Sequence, residues 1–137
     1  MRREKKKLSS KVYAIDFGTS VLKIYKKNEG VIFDEKNTVA VCEGEVKAIG
    51  NEAFEMYGRT PDNYQVTFPV KYGVVADFGN MLSLLNSAFS SLADKHGKFN
   101  GAEFVVAVPC DISEVECRAF YDLLWSSVAK PKKDMSR

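Results

Sequence analysis

Two apolar runs joined by a short Gly/Thr/Ser turn constrain this chain more than any other feature. Val12-Tyr13-Ala14-Ile15 leads into Asp16-Phe17-Gly18-Thr19-Ser20, and Val21-Leu22-Lys23-Ile24-Tyr25 follows without a spacer. Two strands closed by such a turn present backbone N–H groups and hydroxyls to an anion. Asp16, at the end of the first run, is placed to hold a hydrated metal beside that anion. No second turn of this kind occurs before Arg137, so these residues supply half of a nucleotide site.

The 137 residues are enough for one domain with a single core, and 45% hydrophobic with 28% charged residues is ordinary for a globular protein. The net charge of +2 is unevenly laid out. Residues 1–11 carry six Lys/Arg against Glu4, and residues 130–137 carry four against Asp134. The body between them has ten basic and sixteen acidic residues. An acidic body with basic ends argues against a nucleic-acid partner. The two ends read as solubilising tails, or as weak contacts to an anionic membrane surface at about 1 kcal/mol per residue.

Cys42, Cys110 and Cys117 are scattered and form no CxxC pair, which fits reduced thiols in a cytosol. His96 is the sole histidine, so His-based metal sites and His-containing triads are excluded within these residues. A charged N-terminus without an apolar core, and no apolar run near the ~20 residues that span a bilayer, predict a cytoplasmic chain.

A third strand is expected at Val31–Phe33 after the turn Asn28-Glu29-Gly30, then short strands at Thr38–Cys42 and Val46–Ile49. Gly50-Asn51-Glu52 opens a short helix to about Met56, ending at Gly58, and Arg59–Asn63 is a loop. Phe78, Met81, Leu82, Leu85, Ala88, Phe89 and Leu92 form a helical stripe, capped by Asp77 and closed by Gly97. Phe104–Val108 is too apolar to alternate and reads as a strand buried on both faces, ended by Pro109. A second helix begins at Ser113 with Glu116 as its capping-box partner, burying Val115, Ala119, Phe120, Leu123 and Leu124. The pattern is α/β with a mixed sheet: three meandering antiparallel strands and a fourth joined through a helix.

In order, these motifs resemble the bacterial actin-like proteins of the MreB/Mbl family. Ile15–Ser20 is similar to the family's first phosphate loop. Gly50–Ala53 and Met56–Pro61 are similar to a stretch of its small subdomain. Gly73–Phe78 and Val106–Pro109, followed by Ile112–Ala119, resemble two further family segments. The resemblance covers residues 12 to about 125 and implies an incomplete first domain of the actin-like (ribonuclease H-like) fold. Residues 12–34 and 66–129 would form part of the large subdomain, 35–65 a small inserted subdomain, and 1–11 and 130–137 basic tails. It implies ATP and Mg2+ as ligands and ATP-dependent filaments that organise cell-wall growth and cell shape. Asp16 would position the metal-bound water, and Gly18, Thr19, Ser20 and Val21 would cradle the β- and γ-phosphates. Val21 departs from the family's usual Asn. Lys23 stands where eukaryotic actin carries a phosphate-contacting lysine, and reads equally as an exposed strand lysine beside Lys26 and Lys27.

Hydrolysis needs phosphates, metal and an oriented water held together. One turn and one carboxylate do not provide that, so no catalytic residue is assigned and the chain alone is expected to be inactive. The strand at Phe104–Val108 should present a free edge, giving a marginal or partner-dependent fold. Partners are expected to be a second copy or a full-length homologue in a filament. Membrane contact through Met1, Leu8 or Phe99 would be weak, at the inner face of the cell membrane. The alternative is a non-catalytic subunit that binds or caps full-length filaments. A sugar kinase of the same superfold shares the first loop but not the Gly58-Arg59-Thr60-Pro61 segment.

Overall fold

The structure, a computed structural model, describes residues 11–61, 63–109 and 111–131. Met1, Leu8 and most of the two basic tails lie outside the described residues. Strands β1 (Val12–Phe17), β2 (Val21–Lys26) and β3 (Gly30–Lys36) form an antiparallel meander. Asn28, at φ 72°, and Gly30, at φ 87°, supply the left-handed backbone that its second turn needs. Strand β9 (Glu103–Ala107) lies parallel to β1, with Glu103 opposite Val12 and Ala107 opposite Asp16. The order is therefore β9-β1-β2-β3, a mixed sheet with β9 at one edge.

Between the meander and β9 the chain builds a second, three-stranded sheet. Strand β4 (Val39–Cys42) is its centre, flanked by β5 (Glu45–Ile49) and β6 (Tyr64–Thr67). Its last strand runs two residues beyond 65. Helix α1 (Gly50–Glu55) packs on it through Ala53, against Ala40, Ala48, Met56 and Val66. A tight hairpin, β7 (Val70–Lys71) and β8 (Val74–Val75), turns through Tyr72 and Gly73, both at positive φ.

Helices α2 (Phe78–His96) and α3 (Glu114–Ser126) both cover the same face of the main sheet. The strand period of two sends Tyr13, Ile15, Phe17, Leu22, Ile24, Phe33 and Phe104 to that face. They meet Met81, Leu84, Leu85, Ala88 and Phe89 from α2, and Phe120, Leu123 and Leu124 from α3. Rings hold the centre together: Phe17 lies 5.2 Å from Phe120, and Phe99 lies 4.8 Å from Tyr13 and 4.7 Å from Phe89.

Four expectations are corrected by this one-sided cover. Strand β9 is not buried on both faces, because Val105 points to the uncovered side and is 61% exposed. Val115 sits in the first turn of α3, beyond the reach of the sheet, and is 81% exposed. Phe78 is likewise exposed at the start of α2, while Leu84 joins the core instead. Phe99 is buried among Tyr13, Phe89 and Ala102 rather than available to a membrane. No helix among the described residues is long and apolar enough to cross a membrane.

Local capping explains where the long helices begin. The Asp77 carboxylate accepts the Asn80 N–H at 3.1 Å. Ser113 Oγ accepts from Glu116 N at 3.1 Å, while Glu116 Oε1 accepts from Ser113 N at 2.9 Å. Helix α2 ends at Gly97, whose N–H still donates to the Ala93 carbonyl at 2.8 Å and whose φ of 79° then turns the chain out of the helix. Asp77→Ala is expected to cost about 1 kcal/mol, read as a lower urea midpoint at unchanged slope.

Tyr13 is buried with its hydroxyl unpaired. Burial pushes its phenol above the usual value, Glu29 adds to this and nearby Lys26 opposes it. The folded state thus holds the phenolic proton more tightly than the unfolded one. The stabilisation is present below the ordinary pKa of 10.0 and is lost as the pH rises above it. Tyr13→Phe is expected to remove that alkaline loss without lowering stability at pH 7, since the hydroxyl it deletes has no partner. Urea titrations at pH 7 and above pH 10 check both halves.

Candidate phosphate-binding turn

The turn between β1 and β2 is built from tight backbone. A Cβ placed on Gly18 would lie 2.6 Å from the Val21 carbonyl oxygen, so the close return of the chain requires glycine. Thr19 and Ser20 follow at the crest and are exposed, and Val21 is half-buried at the start of β2. Asp16 lies on the uncovered face of the main sheet and is exposed. In register it faces Lys23 on β2, which in turn faces Asp34 on β3. Cross-strand neighbours of this kind stand about 5 Å apart at Cβ. The carboxylate, the lysine and the turn therefore share one end of the same two strands.

The chain that leaves β3 supports the turn from behind. Asn37 is fully buried; its Nδ2 donates to the Gly18 carbonyl at 2.8 Å and its backbone N–H donates to the Ser20 carbonyl at 2.9 Å. Beside it, Lys36 N donates to Asn51 Oδ1 at 2.9 Å, and Gly50 N donates to the Thr38 carbonyl at 2.8 Å. Residues 36–38 thus tie the turn to the start of α1.

A cavity of about 550 Å³ opens between the turn, helix α1 and the β7–β8 hairpin. Thr19 and Ser20 line one side, and Lys36, Phe54, Phe68 and Lys71 line the other. The Lys36 ammonium sits 4.9 Å from the centre of the Phe54 ring, a cation–π contact that holds it in place. The wall is largely apolar, with Thr19, Ser20, Lys36 and Lys71 as its polar residues. Asp16, Gly18, Val21 and Lys23 are not among its lining residues. Among the described residues no group of three or more His, Cys, Asp or Glu is gathered. Asp16 is a single carboxylate, fitting a hydrated divalent ion that a phosphate also holds.

The residues at positions 36, 37, 54, 68 and 71 carry no signal that marks them as neighbours of the turn. Their proximity arises from chain reversal at the end of β3 and from the β7–β8 hairpin, both tertiary features.

A meander, a crossover helix, a parallel fourth strand and a Gly/Thr/Ser turn at the strand ends define an actin-like protein. The fold matches MreB 5 of Spiroplasma citri bound to AMPPNP, with TM-score 0.76 and 25% identity over 84% of this chain and 35% of that one. It also matches the MamK double helical filament, with TM-score 0.71 and 20% identity over 90% of this chain and 40% of that one. The family profile described as MreB/Mbl protein matches residues 10–131, and the chain belongs to the MreB/Mbl family. Cell shape-determining protein Mbl of Bacillus subtilis (strain 168) is 35% identical over 118 residues, covering 85% of this chain and 35% of that protein. Cell shape-determining protein MreB of Escherichia coli (strain K12) is 32% identical over 112 residues, covering 77% and 32%. The chain spans about a third of the length of the curated relatives it matches.

Proposed function

We propose that this chain is the phosphate-turn lobe of an MreB/Mbl-type actin homologue, acting in ATP-dependent filaments that organise cell-wall synthesis and cell shape. The observation that carries this is the turn itself. Gly18 is too tight for a side chain and the hydroxyl-bearing Thr19 and Ser20 are exposed, in a chain that belongs to this family. The backbone around Gly18, Thr19, Ser20 and Val21 cradles the β- and γ-phosphates. Lys23 adds a charge-assisted contact, and Asp16 holds Mg2+ through water. The bound metal supplies charge neutralisation at the phosphates; these side chains bind and orient. Orienting an attacking water needs groups beyond one turn and one carboxylate, so the chain alone binds without turnover. Its proposed location is the cytoplasm, at the inner face of the cell membrane, with a second copy or a full-length homologue as partner.

Isothermal titration of ATP·Mg2+ tests the reading. The expected result is weak, saturable binding, with Kd about 1 mM, displaced by tripolyphosphate because the contacts are to phosphates. Absence of binding, or binding that tripolyphosphate leaves untouched, contradicts it.

A second reading, a non-catalytic subunit that binds or caps full-length filaments, is supported by exposed Val46 on the second sheet, Phe54 on α1 and Tyr57 in the turn after it. Pelleting with filaments of a full-length relative separates the two. Under the second reading the chain sediments with them and shortens them; under the first alone their length is unchanged.

A further inference from the structure

We infer that Asn37 is the positioning residue of the phosphate turn, setting which way its backbone N–H groups point; this rests on the phosphate-binding reading above. Asn37 is fully buried and grips the turn at two carbonyls, through Nδ2 to Gly18 at 2.8 Å and through its own N–H to Ser20 at 2.9 Å. No cis peptide bond occurs among the described residues. In a trans peptide the C=O and the following N–H point in opposite directions. Holding the Gly18 carbonyl toward Asn37 therefore aims the Thr19 N–H away from the buried strap. Holding the Ser20 carbonyl does the same for the Val21 N–H. Two donors in a tight turn are thereby fixed before any anion arrives, and a preorganised donor binds more strongly than one that must first be turned.

The side chain that does this is chemically expensive to keep. Asn37 Oδ1 is buried without a hydrogen-bond partner, as is the neighbouring Thr38 Oγ1. A buried polar atom left unpaired destabilises a fold. Leucine, branched at the same carbon though larger, would remove the unpaired oxygen but would also lose the donor to Gly18. Stability and anion binding are thus expected to separate at this one position, which a purely structural asparagine would not produce.

The test is a heteronuclear NMR titration of the 137-residue chain with ATP·Mg2+, following the amides of Gly18, Thr19 and Ser20. In the unsubstituted chain the Thr19 amide should shift. In Asn37→Leu, folded by its core amide dispersion, the initial slope of that shift against ligand concentration should fall about tenfold, the equivalent of one lost positioning hydrogen bond. Asn37→Ser, which keeps a side-chain donor, should respond more than Asn37→Ala, which keeps only the backbone N–H to Ser20; this pair decides the matter if the leucine variant does not fold. A leucine variant with the slope of the unsubstituted chain, or serine and alanine variants that respond alike, would overturn the role of Asn37 alone. No shift at Gly18–Ser20 in the unsubstituted chain would overturn the phosphate reading and this inference with it.

Discussion

Replacing Phe120 with alanine will leave the chain without a cooperative thermal transition at 37 °C. The ring is fully buried, sits 5.2 Å from Phe17, and joins α3 to the strand that carries the turn. Phe→Ala changes in cores cost about 3–5 kcal/mol. Domains of this size are stable by about 5–15 kcal/mol, and the least covered of them sit at the low end. Among the described residues the main sheet has helices on one face and β9 lies at its edge, so the loss removes most of what holds the fold. Val115→Ala supplies the contrast. At 81% exposed it buries almost nothing, and its effect should stay within about 0.5 kcal/mol. Circular dichroism melts of the two variants side by side check the pair; equal melting temperatures would mean that α3 does not pack as described.

Gly18→Val is expected to abolish the ATP·Mg2+ binding proposed for this turn. Any Cβ at this position meets the Val21 carbonyl oxygen at 2.6 Å, and a backbone atom cannot swing aside as a side-chain tip can. The turn must open, displacing the Thr19 and Ser20 amides and breaking the grip of Asn37. The accompanying strain is expected to cost about 1–3 kcal/mol, visible as a lower melting temperature in a chain that still folds. Gly79→Ala is the matched control. In the first turn of α2 an added Cβ meets only Asp77 Oδ1 at 3.9 Å, so binding is retained and stability rises by about 0.5–1 kcal/mol. Binding by Gly18→Val at the strength of the unsubstituted chain would mean that the turn is not where phosphate sits.

What the residues disclose without coordinates follows from how local each signal is. The capping box of Ser113 and Glu116 spans three residues, so its chemistry is legible in the order of side chains alone, and both of its hydrogen bonds form. The turn at Gly18 is legible for the same reason. Which face of a strand or helix is covered is not a local property. Val105 and Val115 read as core because they are apolar, yet both helices pack on the opposite face of the sheet or beyond its end. Phe99 reads as a loop aromatic, but Tyr13 and Phe89, distant in sequence, gather it into the core. The short strands β6, β7 and β8 show too few residues for a period of two to emerge. Asn37 is hidden most completely. It looks like a polar residue at the end of a strand, and its bond to Gly18 links positions 19 apart in sequence.

The same geometry places the account's weight on a few atoms at one end of β1 and β2. Asp16 and Lys23 face each other in register, and Thr19 and Ser20 open onto a cavity that holds two lysines. A site of this kind is distinguishable from general attraction to the basic tails, because its response is confined to named backbone amides. The most direct measurement is an amide-resolved NMR map of the unsubstituted chain with and without ATP·Mg2+. Shifts centred on Gly18, Thr19, Ser20 and Val21, with smaller changes at Asp16 and Lys23, are the predicted result. Shifts spread over the terminal lysines and absent from the turn would contradict it.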